Sequence, residues 1–508
     1  MSRTGSIYYF VIVLVLSALS QSLDIQAQDI DKDVHVVKPY EPSISDAFKI
    51  NELPGLDDST SIKPEANYYL VPHELSTEFT PRHINPAKML GVPLSKLYPN
   101  FFRFGMGNYT TPMVEARVNS LRNEEYSWGA HFIHESSFGK IKKADDERVE
   151  APYHDTRLDL FGKKMWEQNE LKGSINFDRF GFNYYGYDTA VRNQLDKDVF
   201  SENYKTNNSR QHYTDLKTNF EFQSVRFQDT SSLDYQVVAG YRDFRDRFNN
   251  RANHIQVKAK AQKYIWENQI GLELGWEKFL HDYSKQDHTI VNIQPYLERY
   301  GEVWNVFAGI DFYHNKTDSN TTYHYYPTGK IELNVINYFL KPYIGVKGKY
   351  DVNSLYDVVA ENPYIRPGLN VQSSEHELTF FGGAKGTLTP KLSFNVNYLY
   401  SIIDDEHFFV IDQSSVLNNQ YTVVYDDVEL SEYTAELTYN HNDRLEFMAT
   451  GQLRNYLLYS IDYAYHVPKW QLNFAARYNI QNKIVSEFEV IGYGKRFASD
   501  NNASDPVS

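Results

Sequence analysis

The sequence predicts an all-β chain built as a large antiparallel transmembrane β-barrel. Three observations carry this expectation. An export-type segment opens the chain. A period-two alternation of apolar and polar residues runs from about residue 97 to residue 497. Aromatic residues gather at the ends of the alternating segments.

The elements follow in chain order. Arg3 precedes an apolar run from Ile7 to Leu16, and small residues stand at Ala18, Ser20 and Ala27. A charged start, a short apolar stretch and small-residue cut sites read as a signal peptide over residues 1–27, cleaved after Ser20 or after Ala27. The apolar run is too short to span a bilayer as a helix. Residues 28–96 carry Pro39, Pro42, Pro54, Pro64, Pro72, Pro81, Pro86 and Pro93. Each proline fixes φ and removes a backbone donor, so neither a long helix nor a central strand fits. This stretch reads as a proline-rich periplasmic lead-in.

Residues 97–497 are the expected barrel. In 469–480, Trp470, Leu472, Phe474, Ala476, Tyr478 and Ile480 share one face, against Lys469, Gln471, Asn473, Ala475, Arg477 and Asn479. In 254–262, Ile255, Val257, Ala259 and Ala261 oppose His254, Gln256, Lys258, Lys260 and Gln262. The period is two, the signature of strands. A soluble sandwich with its apolar face on a second sheet would alternate in the same way. Three features favour lipid on the apolar side and a lumen on the other: charged opposite faces, small residues among the apolar ones (Gly382, Ala384, Gly386; Ala449, Gly451), and girdle aromatics. The girdle candidates are Phe101, Phe102, Trp266, Trp304, Tyr323, Tyr325, Tyr326, Tyr338, Phe339 and Trp470.

Nineteen strands are expected, the first near 97–108 and the last near 484–497. With the lead-in in the periplasm, the first strand runs outward, and long external connections should follow the odd strands. The long connections 139–155, 188–210, 353–375 and 412–420 agree, as do the short ones 122–125, 168–170, 389–391 and 441–443. Strands one, seven and nine break the rule with short connections. The nineteenth strand runs outward, so the polar tail 498–508 reads as an external loop. Single-chain bacterial barrels normally have an even strand count. Either the count is off by one or closing strands are missing.

Composition excludes several classes. The chain has 508 residues, no cysteine, 15% aromatic residues and a net charge of −15. A disulfide scaffold and a thiolate metal site are excluded. Nucleic-acid binding lacks its basic footprint. After residue 20 no apolar run approaches the length of a membrane helix. Disorder over most of the length would leave too many aromatics in water.

Motifs of chemistry are sparse. Gly105 and Gly107 lack a third glycine and a following helix, so they are no nucleotide cradle. His134-Glu135 is followed by Ser136-Ser137-Phe138, not by a zinc-binding helix motif. The acidic groups Asp404-Asp405-Glu406 with His407, Asp145-Asp146-Glu147 and Asp426-Asp427 read as solvated loop tips, the alternative being a hard cation that bridges them to outer-leaflet lipopolysaccharide. Lys341, Lys347 and Lys349, Lys258 and Lys260, and Glu273 and Glu277 are inward rows that either face lumen water, pair across strands, or line a solute path. No catalytic, cofactor-binding or metal-ligating residue is nominated, and no enzymatic role.

Two stretches resemble a known family. Val34-His35-Val36-Val37-Lys38-Pro39-Tyr40-Glu41-Pro42, continuing through Ser43 to Ile50, resembles the segment behind the signal in TonB-dependent-receptor-like outer-membrane barrels of the Bacteroidetes. Phe104-Gly105-Met106-Gly107-Asn108-Tyr109-Thr110-Thr111-Pro112, Asn119-Ser120-Leu121-Arg122 and the turn Tyr478 to Ile484 resemble parts of the same barrels. The resemblance implies a Gram-negative outer-membrane receptor barrel of about 22 strands, engaged in solute import or envelope assembly. It also implies that about three strands are absent after Phe497, which would restore an even count. Residues 28–96 are short and proline-rich for a plug domain. Val34 to Val37 is a candidate contact strand for a periplasmic TonB-type partner, with an ordinary tether as the alternative. The rival reading is a structural or adhesive barrel that only displays loops such as 188–210 and 353–375.

Overall fold

The computed structural model describes residues 98–499 and 506–507, apart from residues 144–145, 188, 205–208, 226–231, 283–286, 337–338, 443 and 482. The signal peptide, the lead-in, the Val34 to Val37 segment and Asp145 lie outside the described residues.

One sheet of 19 strands dominates. In chain order the strands are β1 (Asn100–Gly107), β2 (Thr111–Asn119), β3 (Tyr126–Ser137), β4 (Tyr153–Met165), β5 (Asn169–Asn183), β6 (Arg210–Ser224), β7 (Asp234–Asp246), β8 (Arg251–Ile265), β9 (Asn268–His281), β10 (His288–Tyr300), β11 (Trp304–Thr317), β12 (Thr321–Leu333), β13 (Lys341–Asp351), β14 (Ser374–Thr389), β15 (Leu392–Ile411), β16 (Tyr421–Asn442), β17 (Leu445–Leu458), β18 (Trp470–Ile480) and β19 (Ile484–Tyr493). Each pairs antiparallel with the next. Among the described residues β1 pairs with β2 alone and β19 with β18 alone. All nineteen expected strands form. The last is shorter than expected. It ends at Tyr493, and Arg496–Phe497 instead pairs with Pro506–Val507.

The connections sort by end. At one end lie the tight turns, such as 166–168, 266–267 and 301–303. At the other lie 138–152, 184–209, 352–373, 412–420 and 459–469. Outer-membrane barrels keep their long loops outside, so the second end is the external one. The helices sit there: α1 (Thr189–Gln194), α2 (Lys197–Tyr204) and α3 (Leu355–Glu361).

The two faces of the sheet differ as the alternation demands. Large apolar side chains stay exposed along one face, for example Val257, Leu274, Ile293, Phe312, Ile344, Leu437 and Leu472, each 41–64% exposed. No second layer of described residues covers them. This band cannot stand in water without a large cost, and hydrocarbon removes that cost. The other face looks inward. Side chains of β5 to β10 and of β15 and β16 all meet residues 355–366, so the sheet curves around that segment. Tyr326, expected in the girdle, faces inward. It is 1% exposed and its hydroxyl donates to Glu375 at 2.8 Å.

Candidate functional site: a lumen crossed by one loop

The inner wall is laced by ion pairs between neighbouring strands. Lys258 on β8 meets Glu277 on β9 at 2.9 Å, and Lys260 meets Glu273 at 2.7 Å. Arg242 on β7 and Lys217 on β6 both hold Asp215, at 2.7 and 3.1 Å. Lys172 bridges Glu170 and Glu221 at 3.0 and 3.2 Å. Glu332 on β12 takes Lys330 and, from β14, Lys385. Of the three readings left open for the inward rows, pairing holds for Lys258, Lys260, Glu273 and Glu277. Lys349 pairs with Asp351, and Lys347 lies over the Phe381 ring at 5.8 Å. Half-exposed pairs of this kind add little stability each, but they fix side chains and alternate the sign of charge around the wall.

The external third of the wall departs from this polar rule. Phe182 on β5, Tyr213 on β6, Phe244 on β7, Ala252 on β8, Phe279 on β9 and Ile290 on β10 point inward and are buried. They form an apolar strip, one residue per strand. The connection 352–373 folds onto it. Leu355, Val358, Val359, Ile365 and Leu369 are each at most 9% exposed. Fully burying such a side chain contributes about 1.5–3 kcal/mol, so the strip is the loop's main anchor.

Polar contacts fix the loop in place. Asn353 ties its two ends, donating to the Gln372 carbonyl at 3.0 Å and to Ser374 Oγ at 2.7 Å. The Ser354 N–H donates to Asp357 Oδ2 at 3.0 Å and starts α3. Tyr213 donates to the Pro363 carbonyl at 2.8 Å, and Tyr184 to the Ile365 carbonyl at 2.7 Å. Burial pushes the Tyr184, Tyr356 and Tyr364 hydroxyls upward, so they remain donors. Burial also pushes the Asp357 carboxyl above its ordinary range. From the other wall, Tyr421 on β16 exchanges backbone bonds with the loop: its N–H donates to Tyr364 at 2.9 Å, and its carbonyl accepts from Arg366 at 2.8 Å. Gly368 has φ +67°, a conformation that glycine adopts without strain, and it lies beside Asn250.

One chain of contacts joins loop to wall charge. The Arg242 guanidinium stacks over the Tyr356 ring at 3.5 Å. The Tyr356 hydroxyl meets His254 Nδ1 at 3.2 Å, and His254 Nε2 meets Glu277 at 2.8 Å. His254 also stacks on Phe279 at 4.1 Å. The seat of the loop is thus wired to the Lys258–Glu277 pair below it.

Of the three acidic groups expected at loop tips, Asp146 does lie in an exposed turn, between 140–142 and 148–150, while the other two lie within strands. Asp404, Asp405 and Glu406 lie within β15, which with β16 forms a long projecting hairpin. Register shifts between Ile403 and Glu406, with Asp405 at φ +56°. His407 reaches Glu361 of the loop at 3.1 Å. Asp426 accepts N–H bonds from Tyr459, Ser460 and Ile461 and so caps the 459–469 connection. Among the described residues no group of three His, Cys, Asp or Glu is placed to hold a metal ion. His134 and Glu135, adjacent on β3, point to opposite faces.

The loop–wall contact is the feature that sequence reasoning missed. The connection 353–375 was expected to be an external loop on display, yet it is folded inward. Its own composition was the available signal: five buried aliphatics are too many for a solvated loop. The inward aromatics of β5 to β7 pointed the same way.

Comparison with known proteins locates the fold. No family model matches the sequence, and no curated protein matches it. Solved structures do match. A ferric enterobactin receptor mutant from Pseudomonas aeruginosa superimposes with a TM-score of 0.57 at 9% identity, over 80% of this chain and 70% of the other. The siderophore receptor PirA from Acinetobacter baumannii gives 0.56 at 10% identity, over 78% and 68%. The FrpB iron transporter from Neisseria meningitidis gives 0.53 at 11% identity, over 77% and 67%. Identities so low speak for architecture alone, and the chain therefore has the fold of the large outer-membrane receptor barrels.

Proposed function

We propose that this protein is an outer-membrane receptor barrel that admits a solute from the external side, with the 352–373 loop as the element a solute must pass or displace. The single observation behind this reading is that loop, anchored across a lumen whose wall carries alternating charge. The named neighbours are iron transporters and siderophore receptors, so a ferric chelate is the first solute class to test. Export by residues 1–27, a periplasmic lead-in over 28–96, and a TonB-type partner at Val34 to Val37 belong to the same proposal. So do placement among the related barrels of the Bacteroidetes, a role in transport and not in catalysis, and contact with outer-leaflet lipopolysaccharide. Uptake of iron-59 siderophores by cells producing the full chain tests it, against cells without the chain and with deletion of 354–369. Uptake that depends on the chain supports import.

The display reading keeps one observation in its favour. The 184–209 connection, with α1 and α2, lies at the external end, and residues 192–194 and 196–199 in it are exposed. Loss of binding to a surface partner on deletion of 189–204, with no chain-dependent uptake of any solute, would favour display over import.

A further inference from the structure

We propose that the outward face of β3 to β8, at its external rim, is a binding surface for the phosphate groups of an outer-leaflet lipid. This rests on the membrane reading above. The argument is one of strand parity. On β5, Phe180 and Phe182 pack inward with the loop, so Arg179 and Gly181 point outward. On β6, inward Tyr213 sets His212 and Thr214 outward. On β7, inward Phe244 sets Arg245 outward, and on β8, inward Ala252 sets Arg251 outward. Tyr153 packs inward and leaves His154 outward on β4.

The register aligns these residues. His134 faces Thr156, Thr156 faces Arg179, Arg179 faces Thr214, Thr214 faces Arg245, and Arg245 faces Arg251. Six neighbouring strands thus present one unbroken row of hydrogen-bond donors. The next row toward the periplasm runs Phe132, Leu158, Phe177, Leu216, Asp243 and Asn253, so from β3 to β6 it belongs to the apolar band. A row of donors directly above hydrocarbon lies at the depth of lipid phosphates.

Charge supports the same occupant. The chain as a whole carries −15, yet the two acids beside this row, Asp243 and Asp282, both flank Arg251 at its β8 end, Asp243 pairing with it at 2.7 Å. Arg179 and Arg245 are exposed and form no hydrogen bond or ion pair among the described residues. Across the sheet the rim is different: there Tyr400 and Tyr459 donate to Glu429, both at 2.7 Å. The surface is one-sided, and it fits an anionic headgroup attached to acyl chains that lie along the apolar band. Guanidinium groups are suited to phosphate because their donors fork.

The test is native mass spectrometry of the full chain in detergent, titrated with bisphosphoryl lipid A, with dephosphorylated lipid A, and with inorganic phosphate as competitor. We expect bisphosphoryl lipid A to be retained and its dephosphorylated form to be lost. The R179Q/R245Q variant should bind about thirtyfold more weakly, at about fivefold per charge near a membrane surface, while R179K/R245K, which keeps the charge and loses the fork, should fall between that variant and the wild type. Equal lipid binding by wild type and R179Q/R245Q, with both still migrating as heat-modifiable barrels, overturns the site. Full displacement by inorganic phosphate overturns the lipid as occupant. A wild-type chain that does not insert into membranes at all defeats the membrane reading instead. Should R179Q/R245Q fail to fold, the wild type alone decides: its lipid A binding must fall as salt rises from about 50 to 300 mM, as screening requires.

Discussion

Release of the 352–373 loop is the most informative perturbation. Leu355 is 2% exposed, sits on α3 and packs into the apolar strip of the wall. Truncating a buried leucine to alanine costs about 2–5 kcal/mol. The cost falls on the seated loop and not on the free one, so L355A shifts seated against released by about thirtyfold or more. The chain has no cysteine, which makes a thiol reporter clean. Val359 is 9% exposed in the seat, and Val416 in the 412–420 connection is 44% exposed. A Val359→Cys reporter should react slowly with a membrane-impermeant thiol reagent on intact cells, and Val416→Cys quickly. Adding L355A should raise the Val359→Cys rate by about thirtyfold, up to the Val416→Cys rate, with no change at Val416→Cys. An increase below about threefold, or a wild-type Val359→Cys rate equal to that of Val416→Cys, would refute the seat as drawn.

Other outcomes follow from the same geometry. Tyr213→Phe removes the bond to the Pro363 carbonyl and should speed Val359→Cys labelling by roughly twofold to tenfold, about 0.5–1.5 kcal/mol. Burial raises the Asp357 carboxyl, with Arg242 and His254 lowering it and Asp351 raising it. The seated loop then holds its proton more tightly than the free loop. Seating is strongest below the ordinary carboxylate value and weakens as pH rises through the raised one. Labelling normalised to Val416→Cys should therefore climb over that window, and Asp357→Asn should flatten it. Leu274, midway along β9 on the outward face, should not tolerate charge. Leu274→Arg should lower folding stability in lipid vesicles by about 2–4 kcal/mol, read from denaturant titration of barrel migration.

The strands were legible because one rule governs them: where one side is hydrocarbon and the other wet, period two must hold for every strand. Trp470 to Ile480 and Ile255 to Ala261 show it residue by residue, and the structure keeps those faces. The ends of the lumen obey no such rule. Phe182, Phe244 and Phe279 face inward because a loop about 75 to 185 positions away covers them, and nothing local announces such a partner. The same holds for Asp404 and Asp405, which read as a loop tip because acidic residues usually cap turns. Here β15 and β16 continue past the membrane as a paired hairpin, and the acids lie within it. Ion pairs such as Lys260–Glu273 were foreseeable as rows of charge but not as partners, since register fixes which lysine meets which glutamate.

The central claim is that the exposed apolar face lies in hydrocarbon. Trp276 stands on that face near the middle of β9, while Trp266 stands in the tight turn between β8 and β9 and is 93% exposed. Single-tryptophan variants of the full chain, reconstituted in vesicles whose acyl chains carry bromine at mid-depth, read this directly. Strong quenching of Trp276 with weak quenching of Trp266 is the predicted result. Equal, weak quenching of both, with the protein recovered free of the vesicles, would contradict the account.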